Sequence, residues 1–193
     1  MPQSEGMCVS SEQDGRSFAQ SIAMNLKTRR KQKRLSLDKV AQLTGVSKAM
    51  LGQIERQESS PTIATLWKIA TGLEVSFSSF LLHPQEDKGS FSKGAIHDSN
   101  MQVTTLFPFD VQKGFEVFEI TLSSFHQQYS SAHLTGVTEH IHVLEGHLAI
   151  LEGEKWQDIQ IGQQCVISAD QPHGYQDKAG KTRFITIIHY PLI

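Results

Sequence analysis

The feature that most constrains this chain is a change in the period of its apolar residues. From Phe18 to about Leu82 they recur every three or four positions, as in Phe18, Ile22 and Leu26, or Leu66, Ile69 and Ala70. That spacing lines one face of a helix. Beyond Asn100 the period falls to two. The runs VTTLF, FEVFEITL, EHIHVL, HLAILE, QCVIS and RFITIIHY are short, β-branched and aromatic, with Gly, Asp, Asn and Pro between them. Such runs suit the strands of an antiparallel sandwich or barrel. One stretch cannot satisfy both periods, so the 193 residues divide into an all-α unit and an all-β unit. We read residues 1–16 as a flexible tail, 17–82 as a helical domain, 83–100 as a polar linker holding Pro and Gly, and 101–193 as the strand domain.

Charge divides at the same place. Between Arg16 and His83 eleven Lys/Arg face four Asp/Glu, whereas from Pro84 to Ile193 seven Lys/Arg face thirteen Asp/Glu. Histidine follows the acidic half. A basic unit followed by an acidic, histidine-bearing one is a two-domain signature. No apolar run approaches the roughly 18 residues of a membrane helix. The N-terminus has neither the basic nor the apolar region of a secretory signal. Cys8 and Cys165 are too few and too distant for a disulfide framework, which predicts a reducing, cytoplasmic setting.

About five helices are expected in the first unit. Ser17, Ser36, Ser47 and Thr62 are placed to cap four of them, and a short fifth is expected near Ser76–Leu82. In the second helix Leu37, Val40, Ala41 and Leu43 make the inner face. Two short helices joined at Leu43-Thr44-Gly45-Val46, the second turning Leu51 and Ile54 inward, form a helix-turn-helix pattern. The outward residues are Ser47, Lys48, Ala49, Met50, Gly52, Gln53 and Arg56, with Ser36 at the start of the preceding helix. Gln53 can pair bidentately with adenine, Lys48 or Arg56 with guanine or phosphate, and Ala49 can meet a thymine methyl. The basic run 27-KTRRKQKR-34 is either a solvated helix end, favoured by the dipole, or a phosphate-binding surface.

The segment VAQLTGVSKAMLGQIER followed by SPTIATLWKIATGL resembles the XRE-type, phage-repressor-like helix-turn-helix. The resemblance implies that Glu55 pairs with an arginine of the first helix, Arg29 or Arg30, rather than with DNA. Gln57 stands where the family usually has glycine, which requires either a left-handed residue or a longer helix.

In the strand unit, 133-HLTGVTEHIHVLEGHLAI-150 concentrates four histidines and two glutamates. Residues two apart on a strand share a face, so Glu139, Ile141 and Val143 lie on one side and His140 and His142 on the other. The run EHIHVLEGHL, with 158-DIQIGQQCVISADQPHGYQD-177, resembles the two motifs of the cupin, the double-stranded β-helix or jelly-roll barrel. Aligned on Gly146, the resemblance implies Glu139 as the carboxylate position, His133 as the first histidine, Thr135 where the second would stand, and His173 from the second motif. His140 and His142 are then not its ligand pair, and His147 lies beside the turn. His133, Glu139 and His173 remain as a two-histidine, one-carboxylate set suited to Zn, Fe, Mn or Ni. The alternative is a metal-free pocket in which the same groups hydrogen-bond an effector. Cys165 reads as a small filler of its strand and not as a nucleophile.

Together the two halves resemble the XRE–cupin transcription regulators, and within them those of sulfur utilisation. That implies a double-stranded DNA operator, a small-molecule effector such as a sulfur compound or amino acid, and a homodimer with no membrane association. The competing expectation is a cupin metalloenzyme, dioxygenase- or isomerase-like, fused to a DNA-binding domain.

Overall fold

In a computed structural model, residues 10–81 and 95–191 are described, with side chains from Ala19 and from Asp98 onward in the two segments. Four α-helices open the fold: α1 (Ser10–Gln32), α2 (Leu37–Thr44), α3 (Lys48–Glu55) and α4 (Ile63–Gly72). Helix α1 thus begins at Ser10, not at Ser17, and takes in part of the stretch expected as a tail; residues 1–9 lie outside the described residues. The expected fifth helix is a single 3-10 turn, Phe77–Phe80.

Local chemistry starts and stops these helices. The side chains of Ser36, Ser47 and Thr62 accept from the backbone N–H of Lys39, Met50 and Thr65, satisfying donors that have no partner within the first turn. Gly45 ends α2 in the left-handed region at φ 68° and donates to the Ala41 carbonyl. The inner faces bring Ile22, Leu26, Val40, Leu51, Ile54 and Leu66 into one core. Leu43, expected on that face, is exposed, and Thr44 is buried in its place. The reason is hydrogen bonding: the Thr44 hydroxyl donates to Val40 O (2.8 Å) and accepts from Val46 N–H (3.1 Å), which draws it into the turn.

Ten strands follow: β1 (Ala95–Asp98), β2 (Met101–Asp110), β3 (Phe115–Ser123), β4 (Gln127–Ser130), β5 (Thr138–Glu145), β6 (His147–Glu152), β7 (Lys155–Gln160), β8 (Gln164–Ser168), β9 (His173–Asp177) and β10 (Lys181–His189). Strand β1 falls inside the stretch expected as a linker; residues 82–94 lie outside the described residues. The strands form two antiparallel sheets, ordered β1-β2-β3-β10-β5-β8 and β4-β9-β6-β7. Their inner faces hold Val103, Phe118, Ile120, Ile141, Leu148 and Phe184. Strands β4, β7 and β9 escaped the sequence reading because they are short or almost wholly polar; in β7 only Ile159 is buried. The helical unit followed by this two-sheet cupin barrel is the expected fold class.

The two units share packing. Trp67 stacks on Phe77 with ring centroids 4.0 Å apart, and both meet Phe118 of β3 edge-on, at 6.1 and 5.6 Å. Nearby, the fully buried Glu116 carboxylate accepts from the backbone N–H groups of Phe77 (3.1 Å) and Ser78 (3.0 Å) and from the Tyr190 hydroxyl (2.6 Å). One barrel carboxylate therefore caps the start of the last turn of the helical unit.

Candidate functional site

The residues expected to read DNA cluster on α3. Ser47, Lys48, Ala49, Met50, Gln53 and Arg56 are all exposed, as is Ser36 at the start of α2. Gly52, expected to face outward, is buried, with Leu37 nearby and the Arg56 guanidinium over it. Lys48 pairs with Asp38 at 2.9 Å and Arg56 makes a two-pronged pair with Glu58 at 2.7 Å. Both pairs are solvent-exposed, so water screens them and the cations are readily released to another partner. Behind this face Arg30 holds Glu55 through two contacts, Nε–Oε1 at 2.6 Å and Nη2–Oε2 at 2.8 Å, and donates a third bond to Leu35 O. Of the basic run, Arg30 is thereby structural. Lys27, Lys31, Lys33 and Arg34 are exposed.

The second site lies inside the barrel. Strand β5 alternates as its pattern requires: Glu139, Ile141 and Val143 are buried, His140 and His142 exposed. His173 enters from β9 and His133 from the loop before β5, where its backbone N–H is fixed to Ala169 O at 2.8 Å. The turn at Gly146 (φ 80°) is obligatory, because an added Cβ would lie 2.3 Å from Lys181 O. His147 is half-buried and contacts Asp158 at 3.2 Å, and Thr135 is exposed.

His133, Glu139 and His173 bring their ligand atoms within 4.8 Å of one another. His133 Nε2 lies 3.3 Å from Glu139 Oε1, and His173 Nε2 lies 3.4 Å from the same oxygen without the alignment of a hydrogen bond. Glu139 Oε2 is buried with no hydrogen-bond partner. Burial pushes the Glu139 carboxyl up, but the close imidazoles of His133 and His173 outweigh it and bring it down to about 2. His173 is disfavoured as a cation by burial, yet Glu139 and the Gln171 carbonyl raise it above the usual imidazole range. The Cys165 thiol is pushed up to about 11 by burial and by the charges of Glu152 and Glu139, which makes it a poor nucleophile.

The His173 tautomer follows from its neighbours. Nδ1 is 2.9 Å from Gln171 O, which can only accept, so Nδ1 carries the proton. A neutral His173 therefore turns a lone pair toward a carboxylate oxygen. Two lone pairs facing each other across 3.4 Å call for a proton or a cation between them. With an orphaned carboxylate oxygen alongside, the donor set fits a divalent cation of the zinc or iron kind. His133 also reaches out of the barrel: its Nδ1 lies 3.2 Å from Thr71 Oγ1 and its ring is 5.3 Å from that of Trp67, both on α4.

A helix-turn-helix packed on a cupin barrel defines a DNA-binding regulator of transcription. Comparison with known proteins agrees. Residues 26–80 match the helix-turn-helix family HTH_3. The chain is 44% identical over 178 residues to the HTH-type transcriptional regulator SutR of Escherichia coli (strain K12), which covers 90% of this chain and 97% of that protein. The crystal structure of an HTH_3 family transcriptional regulator from Vibrio cholerae is 51% identical with a TM-score of 0.79, covering 91% of this chain and 98% of that one. The Cupin_2 domain of an XRE family regulator from Enterobacter cloacae aligns with 48% of this chain and 99% of its own at 32% identity, with a TM-score of 0.47. The chain belongs to the HTH-type transcriptional regulators. Among the described residues no helix is long and apolar enough to cross a membrane.

Proposed function

We propose that this regulator reads a specific operator through Ser36, Ser47, Lys48, Ala49, Met50, Gln53 and Arg56, and senses a ligand at His133, Glu139 and His173. The observation that carries the sensing half is the buried carboxylate of Glu139, whose Oε1 lies against two imidazoles while its Oε2 has no hydrogen-bond partner. A buried charge with an unused lone pair is costly, and a ligand that uses it recovers that cost. A divalent cation held there would supply a positive charge and open positions for a small molecule. Glu139 would provide charge, His173 a lone pair fixed by Gln171 O, and His133 a lone pair at the mouth of the cluster. The organic effector we favour is a small sulfur compound or amino acid, in keeping with the sulfur-utilisation resemblance.

Reading two half-sites spaced by about one turn of DNA, some 34–36 Å, requires two copies of α3, so the working form in this reading is a homodimer in the cytoplasm. Binding of effector would change operator affinity without chemical turnover. Metal analysis of the purified wild type should give stoichiometric divalent metal, lost in Glu139→Ala and His173→Ala. Equal, negligible metal in all three would remove the cation site. Lys48→Ala with Gln53→Ala should relax or abolish operator footprints, and unchanged footprints would sink the recognition-helix assignment. Metal-dependent consumption of a sulfur compound would instead favour the cupin-enzyme reading.

A further inference from the structure

The barrel cluster and the DNA-reading unit meet in one side chain. His133 turns Nε2 toward Glu139 Oε1 (3.3 Å) and Nδ1 toward Thr71 Oγ1 (3.2 Å), so each ring nitrogen faces a different unit. The side chain is almost fully buried, with Trp67 against one side and His173 against another. A cleft follows the seam beside it, with Trp67, Ala70 and Thr71 on one wall and His133, Leu134 and Tyr190 on the other.

Beyond Thr71 the contacts continue toward the recognition helix. Gly72 packs so closely on the end of α2 that an added Cβ would lie 2.6 Å from Leu43 O and 2.8 Å from the Thr44 Cα. Thr44 holds the turn through its bonds to Val40 O and Val46 N–H. Ser47, the next residue, caps α3. A continuous series of contacts thus runs from Glu139 through His133, Thr71 and Gly72 to the turn that aims α3.

The chemistry of imidazole gives this series a direction. A histidine that lends its Nε2 lone pair to a cation keeps its proton on Nδ1, and a ligating histidine usually donates that proton to an outer partner. Here the acceptor in reach is Thr71 Oγ1. In the opposite tautomer His133 would accept from the threonine hydroxyl instead. Occupation of the barrel therefore selects the sense of the one side-chain hydrogen bond between His133 and α4.

We infer that Thr71 is the outer partner of the barrel's ligand cluster, positioning His133, so that cation binding in the barrel and docking of α4 are coupled. The inference rests on the cation site proposed above. The coupling is reciprocal: whatever moves α4, including DNA, alters cation affinity by the same factor. A spatial series of contacts is not by itself coupling, so the test measures the coupling directly.

The test uses the full chain with Trp156→Phe, which leaves Trp67 as its only tryptophan. Zn²⁺ is titrated while Trp67 fluorescence and hydrogen exchange at the Gly45 and Val46 amides are followed. The expected result is a fluorescence change and slower exchange, both with the midpoint of Zn²⁺ binding. Thr71→Val should weaken Zn²⁺ about 10–100-fold and remove the exchange response, and Thr71→Ser should restore both. Wild type that binds Zn²⁺ with no response at Trp67 or residues 43–46 overturns the coupling while the cation site stands. So does Thr71→Val with undiminished affinity and response. Wild type that binds no Zn²⁺, like Glu139→Gln, overturns site and coupling together.

Discussion

At the scale of single residues, two positions show how backbone and burial set energies that contacts alone do not reveal. Gln57 closes α3 at φ 61°, donating to Ile54 O, while Glu58 donates to Gln53 O. A side chain in that region carries a penalty of roughly 1–2 kcal/mol that glycine avoids. Gln57→Gly should therefore raise the melting temperature by a few degrees, and a lowered one would show that the Gln57 side chain has a compensating contact. Glu116 is the second case. Burial raises its pKa despite bonds from Ser78, Tyr190 and Phe77. A raised carboxyl binds its proton more readily in the folded state, so its contribution is full below the ordinary carboxyl range and declines as pH rises through the folded pKa. Melting curves from about pH 4 to pH 8 should show wild type losing stability relative to Glu116→Gln as pH rises. Parallel profiles would mean that the Phe77 and Ser78 amides stabilise the anion more than burial disfavours it.

At the scale of elements, the caps and the glycine contacts divide the work. Ser36, Ser47 and Thr62 fix where α2, α3 and α4 begin, and all three were legible because a cap is a local event within four residues. Gly72, the last residue of α4, was not legible in that way, since its need arises only from the approach of α2. Gly72→Ala should cost about 1–3 kcal/mol, measured by chemical denaturation, because Leu43 O and Thr44 are backbone neighbours that cannot rotate aside. A neutral result would mean that α2 and α4 slide apart freely, contrary to a tight junction. Strand alternation was equally local: it separated Glu139 from His140 and His142 before any fold was known. The short polar strands β7 and β9 show the limit of that logic, since their periodicity lies in backbone pairing to β6 and not in apolar side chains.

At the scale of the molecule, the polar stretch between the units suggested two independent bodies, but their apolar surfaces are shared. Trp67, Phe77 and Phe118 form one aromatic group across the boundary, and Phe77 is fully buried in it. We expect calorimetry on the wild type to give a single cooperative transition. Phe77→Ala should lower stability by roughly 3–5 kcal/mol and separate the transition into two. Two transitions already present in the wild type would show that the shared packing does not couple the units.

What the sequence alone determined was everything that depends on neighbours within a turn or a strand. That includes the change of period, the starts of α2, α3 and α4, the break at Gly45, and the side of β5 on which Glu139 lies. Resemblance added the pairing of Glu55 with a helix-one arginine, which the structure resolves to Arg30. Only the tertiary structure decided that Gly72 must lack a side chain, that Glu116 caps the last helical turn, and that His133 joins Glu139 to Thr71. Those relations link residues 62, 39 or more positions apart, or depend on a neighbouring element's backbone. Hydrophobic period and capping are written into a short window of sequence. Long-range hydrogen bonds exist only after packing has excluded water and left buried polar groups to find one another.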